Sequence, residues 1–371
     1  MTGYNAAAIC CDAHVEEPYD LWSRRAARFI RDRVPRPVRT DDGRWIMVIE
    51  NAAIGLPSTN ADYRIAQAVQ AVQDSDAGQT SQKGSAWPHA RLDLTQPEGV
   101  DGQVIYPTIG LHAWSITHKG AGRAACVIYN NWTTERLRGS ARIKFAALIP
   151  TWNLEMALEE VDRMAGVDSV AGMLLPLGQM SANLARWEPL WRAIAETGKP
   201  AMLHRAIGDD AYFDPEDKPL ETSPFNQRIA GRTAAHFACS GVLDRHPSLH
   251  IVLAGLGAGW IAQTSAATDE RYRAHQHSSG LRLHELPGHY IRHQIHATLH
   301  DEPAAIDQVA LTGTDCLLWG NGDRCGHGTS ANAGALDSLL KDADPLTAAA
   351  IRYRNATRLF GFSEAARIAQ T

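Results

Sequence analysis

No stretch of this 371-residue chain reaches the ~18 consecutive apolar residues that a membrane-spanning helix requires, so no membrane association is expected. No basic region followed by an apolar stretch opens the chain, and no secretory signal is read there. A surplus of positive charge is also missing. Lys and Arg number 36 against 41 Asp and Glu, a net charge of −5, which leaves no basic footprint for nucleic acid. The six cysteines (Cys10, Cys11, Cys126, Cys239, Cys316 and Cys325) show no CxxC spacing. That argues against a structural zinc and for buried thiols in a reducing cytoplasm. No Gly-rich phosphate loop follows the first apolar run, which argues against an open dinucleotide-binding sheet.

What is present is an apolar fraction of 44%, ample for a large core, and sixteen histidines, many of them between His275 and His300. Apolar runs of strand character occur at 7–12, 102–107, 144–150, 170–176, 200–204, 250–254, 290–299 and 315–320. Between them lie amphipathic stretches at 121–137, 154–165, 187–197, 226–244, 258–274 and 302–312. A further helix is expected over 19–31. Eight apolar strands alternating with helices imply a parallel sheet closed into a (β/α)8 TIM barrel. The stretch 34–98 is rich in Gly, Asn, Ser, Asp and Gln and too long for a plain connection. It is read as an N-terminal insertion, a lid over the barrel mouth, within a single domain spanning 1–371.

Barrel active sites are built at the C-terminal ends of the strands. The first such end is Asp12-Ala13-His14-Val15-Glu16-Glu17-Pro18, with three carboxylates and one imidazole in six residues. Asp12 and His14, two apart on an extended backbone, point to one face, where a carboxylate oxygen and a ring nitrogen suit a divalent cation. Later strand ends supply Tyr106 to His112, Pro150, Pro176, His204, Gly255 to Gly257, Thr298 to Asp301, and Asn321 to His327. His296 and His300, four apart, share one face of either a strand or a helix, so either is a candidate to reach the ion. Glu17 is a candidate base, ligand or partner of an arginine, and His89 in the expected lid is a candidate substrate contact. Gly257-Ala258-Gly259-Trp260 opens a helix and is a candidate cradle for an anionic group.

These residues resemble the amidohydrolase-related family that includes aminocarboxymuconate-semialdehyde decarboxylase and γ-resorcylate decarboxylase, and within it the branch with an Asp-x-His-x-x-Glu-Pro opening. The resemblance rests on Asp12 to Pro18, Asp20-Leu21-Trp22, Arg31-Asp32-Arg33, Gly99-Val100-Asp101, Tyr106-Pro107-Thr108, Glu188-Pro189-Leu190-Trp191 and Gly257 to Trp260. It implies a metal-dependent TIM barrel with ligands Asp12, His14, His204 and one from the eighth strand. Where relatives carry Trp-Gly-x-Asp, this chain reads Trp319-Gly320-Asn321-Gly322-Asp323, so Asp323 or His327 is the expected ligand. Gly255 stands where relatives carry a His or Glu.

The branch also resembles the non-haem di-iron monooxygenase of platensimycin and platencin biosynthesis. That likeness implies an oxygenase with two Fe ions, hydroxylating an aliphatic carbon of a CoA-linked, terpenoid-like substrate in secondary metabolism. An electron donor would then be needed. Glu17 would serve a second metal, and Arg123, Arg136 and Arg138 are candidates to meet a CoA phosphate. The alternative is a mononuclear Zn or Mn hydrolase or decarboxylase with Glu17 or a histidine such as His300 as acid/base. A third reading is a binding protein with a decayed site. A homo-oligomer is compatible with each.

Overall fold

The computed structural model describes residues 8–15, 17–41, 45–54, 99–182, 184–204, 219–320 and 333–362. Eight parallel strands form the central sheet of a (β/α)8 barrel. In chain order the strands of the molecule are β1 (Ile9–Val15), β2 (Arg36–Arg39), β3 (Trp45–Ile49), β4 (Ala52–Ala53), β5 (Gly102–Pro107) and β6 (Ile143–Leu148). They continue with β7 (Val170–Pro176), β8 (Ala201–His204), β9 (Ile251–Ala254), β10 (Ile295–Leu299) and β11 (Leu317–Trp319). The barrel order is β1-β5-β6-β7-β8-β9-β10-β11, each strand beside the next in sequence, and β2, β3 and β4 make a separate antiparallel sheet.

The barrel strands are almost wholly buried, which is why they read as continuous apolar runs rather than alternating ones: all seven residues of β7 are buried. Gly172 is required there, because a Cβ would lie 2.6 Å from the Pro200 carbonyl oxygen. The register pairs Pro176 with His204, His204 with Ala254, and Leu299 with Trp319, so the C-terminal ends of successive strands lie at one level. β1 meets β11 at Gly320, whose absent side chain lets the backbone approach Asp12; a Cβ there would stand 2.5 Å from that of Asp12.

The described residues fall into two compact units. One comprises the described residues within 1–14, 96–106 and 137–371; the other comprises those within 15–95 and 107–136. The second unit is organised on the helix Lys119–Arg136, where the Trp22 indole donates to the Ala125 carbonyl at 3.0 Å. The Glu50 carboxylate accepts from the N–H groups of Thr117 and His118 just before that helix begins.

Several expected elements differ from those found. Residues 36–53, expected to be irregular, include a three-stranded sheet seeded by the apolar run Ile46-Met47-Val48-Ile49. Only Leu21–Arg25 of the expected helix 19–31 is α-helical, since Ala26 adopts an extended backbone. Residues 290–294 belong to a helix, Pro287–Gln294, whose proline stands in its first turn; only 295–299 is strand. Residues 55–98, the greater part of the expected lid, lie outside the described residues. Among those described, no helix is long and apolar enough to cross a membrane.

Candidate metal centre

Three ligand atoms converge at the end of the barrel's first and fifth strands. Asp12 and His14 both lie within β1, and His204 is the last residue of β8. Asp12 is fully buried and the two imidazoles nearly so. Asp12 Oδ1 stands 3.9 Å from His14 Nε2 and 3.8 Å from His204 Nε2, and one ligand atom from each residue lies within 4.8 Å of the others. Those separations exceed a hydrogen bond. Ligands held ~2.0–2.2 Å from one ion lie ~3–3.5 Å apart, so a small contraction would close the trio on a cation.

Asp12 Oδ1 is buried and accepts no hydrogen bond among the described residues. A buried carboxylate oxygen left this way is costly unless a cation faces it, and the trio fits a divalent metal on that ground. The other oxygen is already positioned. Thr298, from β10, donates its hydroxyl to Asp12 Oδ2 at 3.3 Å and accepts the Gly255 N–H at 2.8 Å. This leaves Oδ1 for the imidazoles.

His300 follows β10 and completes the group. Its Nδ1 lies 2.9 Å from the Gly320 carbonyl, which can only accept, so Nδ1 carries a proton. In the neutral ring Nε2 is then the bare nitrogen, and it lies 3.5 Å from Asp12 Oδ2. Tyr106, on β5, packs its ring 6.0 Å from that of His14 and 5.2 Å from that of His204. Its phenol is wholly buried and, with the charge on Asp12, this pushes its pKa well above the ordinary tyrosine value. Gly255, with φ of 72°, adopts the left-handed conformation, and a Cβ there would fall 3.1 Å from His204 Nε2.

The structure therefore brings Asp12, His14, His204 and His300 together. It does not bring His296 to the ion: that ring sits at the start of β10, bonded to His250 and to the Asp315 carbonyl. Glu17 lies in the second unit, and no arginine among the described residues holds it. Its carboxylate accepts the backbone N–H groups of Thr108, Ile109 and Gly110, while burial outweighs these bonds and pushes its pKa up to about 7. The Gly257–Trp260 turn holds an internal anion, with Glu302 Oε2 accepting the Ala258 N–H at 2.9 Å. His89, Asp323 and His327 lie outside the described residues. Tyr106 and Thr298 fall in the strand ends that the sequence points to, but nothing in the sequence gives either of them a role.

An eight-stranded parallel barrel with a carboxylate–imidazole trio at the C-terminal ends of its strands defines a class of metal-binding TIM-barrel enzymes. The chain belongs to the amidohydrolase family, whose model matches residues 11–362. Among solved structures it is similar to an amidohydrolase from Mycobacterium avium subsp. paratuberculosis K-10. That match has a TM-score of 0.76 and 19% identity, covering 97% of this chain and 100% of that one. It is also similar to 5-carboxyvanillate decarboxylase from Novosphingobium aromaticivorans with bound manganese. There the TM-score is 0.68 and the identity 16%, over 97% and 99% of the two chains. A dihydroxybenzoic acid decarboxylase from Polaromonas sp. JS666, with manganese and 2-nitroresorcinol, matches at TM-score 0.63 and 15% identity, over 96% and 97%. No curated protein matches the chain.

Proposed function

We propose that this protein is a divalent-metal-dependent decarboxylase or hydrolase acting on a small carboxylate- or carbonyl-bearing substrate. The observation that carries the proposal is the convergence of Asp12 Oδ1, His14 Nε2 and His204 Nε2 around one position. Asp12, His14 and His204 would hold the cation; mixed oxygen and nitrogen donors suit Zn or Mn. When bound, such an ion supplies Lewis acidity that polarises a substrate oxygen and offsets developing negative charge.

The chain's own groups provide the rest. Thr298 fixes the rotation of the Asp12 carboxylate, so that its charge is directed at the imidazoles. His300 is placed to accept or return a proton at Nε2, its tautomer held by the Gly320 carbonyl. Burial of Asp12 and Tyr106 keeps bulk water from the base of the site and strengthens every charge interaction within it. Glu17, engaged by three backbone N–H groups, is assigned no proton transfer.

This reading is favoured over the di-iron oxygenase expectation for two reasons. Among the described residues one group, Asp12, His14 and His204, could hold a metal ion, and the similar structures are an amidohydrolase and manganese-bound decarboxylases. The deciding measurement is metal content by plasma mass spectrometry for the wild type and His204→Ala. Carbon dioxide release from hydroxybenzoates and hydrolysis of simple amides and lactones would be assayed in parallel. About one Zn or Mn per chain, lost in the variant, is expected. Two tightly held irons with substrate-dependent oxygen uptake would overturn the proposal in favour of oxygenation.

A further inference from the structure

We propose that Tyr106 is a positioning residue of the metal centre, its phenol donating a hydrogen bond to an oxygen, of water or substrate, brought beside Asp12 Oδ1. The inference rests on the metal-dependent reading above and extends it to a residue outside the ligand trio.

Two buried oxygen atoms without a hydrogen-bond partner among the described residues lie in this one group: Asp12 Oδ1 and Tyr106 Oη. A buried hydroxyl left unpaired costs about 1–3 kcal/mol, so tyrosine in place of phenylalanine at a fully buried position needs a return. The ring is fixed from two sides. It lies 5.2 Å from the His204 ring and 6.0 Å from the His14 ring, and those two rings are 5.0 Å apart at a steep angle, so the three make a triangle. β5 places Tyr106 at its C-terminal end, next to β1 in the barrel order and therefore beside the strand that carries Asp12 and His14. A phenol donates one proton and a carboxylate only accepts. An oxygen seated between Tyr106 and the ion would satisfy the phenol, while the ion satisfies Asp12. The two oxygens are then both satisfied, Asp12 Oδ1 by the ion and the phenol by the oxygen beside it.

The test uses Tyr106→Phe, which removes one oxygen from a buried site and is not expected to unfold the protein. Metal content, the Mn²⁺ dissociation constant by chelator competition, and the melting temperature with and without Mn²⁺ would be measured for the wild type and the variant. The expected result has two parts. Without metal, the variant melts at or above the wild-type temperature, because an unpaired buried hydroxyl has been removed. With Mn²⁺ its thermal shift is smaller than the wild type's and its dissociation constant is about tenfold higher. A merely structural hydroxyl would lower the melting temperature equally with and without metal and leave the Mn²⁺ affinity unchanged, which overturns the inference. Complete loss of metal in the variant also overturns it, since Tyr106 would then be a ligand. A wild type that binds no Mn²⁺ overturns the metal-dependent reading itself along with this inference, and the metal content identifies that case directly.

Discussion

Thr298 decides which oxygen of Asp12 faces the imidazoles. Its hydroxyl accepts from Gly255 N–H and donates to Asp12 Oδ2, so one small side chain links β9, β10 and β1. Thr298→Val keeps the shape and removes both bonds. The carboxylate is then free to rotate, and the part-buried Gly255 N–H loses its acceptor. We expect metal affinity to fall about 10–100-fold, read by chelator competition, with Thr298→Ser close to wild type. Equal affinity for the valine and threonine forms would show that Asp12 is oriented by something else. Asp12, His14 and His204 were legible in the sequence because a charged or imidazole side chain ending an apolar run is conspicuous. His300 was legible in part: its spacing from His296 suggested a shared role, but the strand between them sends the two rings to opposite ends of the barrel. Thr298 and Tyr106 were legible as strand-end residues, but their roles were not. A hydroxyl near a strand end is as common in packing as in chemistry, and only the neighbours across the barrel distinguish the two.

Seven of the eight barrel strands fall close to the expected apolar runs, since burial on both faces leaves a signal that needs no periodicity. The exception, 290–299, joins a short helix to a strand with no polar break between them, and Pro287, which starts the helix, precedes the stretch expected to be a strand. The small sheet β2–β4 was missed because its polar surroundings masked one apolar run. The junction most sensitive to change is Gly320. It follows the three-residue strand β11 and donates its N–H to the Leu299 carbonyl. A Cβ there would stand 2.5 Å from the Asp12 Cβ and 3.2 Å from that of Thr298. Gly320→Ala must therefore push β11 away from β1 or turn Asp12 aside. The expected cost is about 1–3 kcal/mol, seen as a lower urea midpoint in the metal-free protein, together with loss of the metal-induced stabilisation. An alanine variant that keeps both would mean that the barrel closes elsewhere than at this contact.

For the molecule as a whole, buried titratable groups set how stability depends on pH, and the two units differ in sign balance. In the barrel unit His296 is fully buried in a filled chain of hydrogen bonds. Its Nδ1–H donates to the Asp315 carbonyl, and its Nε2 lies 3.0 Å from His250 Nδ1. Burial, with His250 and Arg358 nearby, pushes its pKa down to about 3, and burial lowers that of His250 as well. A base with a depressed folded pKa binds its proton more tightly when unfolded. Stability is therefore lost as pH falls below the ordinary value of ~6.5, and the loss continues to about 3. In the other unit two groups oppose each other. Glu17, raised to about 7, favours folding at low pH and loses that contribution as pH rises from about 4.5 to 7. Burial pushes His112 down to about 4, which acts in the reverse direction over much of the same range. Lowering the pH from 7 to 5 should thus weaken the barrel unit by on the order of 2 kcal/mol while leaving the other nearly level. Hydrogen exchange read by mass spectrometry, corrected for intrinsic rates and run with a chelator present, separates them. Protection of 251–254 and 295–299 should fall at pH 5, that of 119–136 should hold, and His296→Leu should flatten the first trend. Uniform loss across both units would assign the acid sensitivity to net charge rather than to His296.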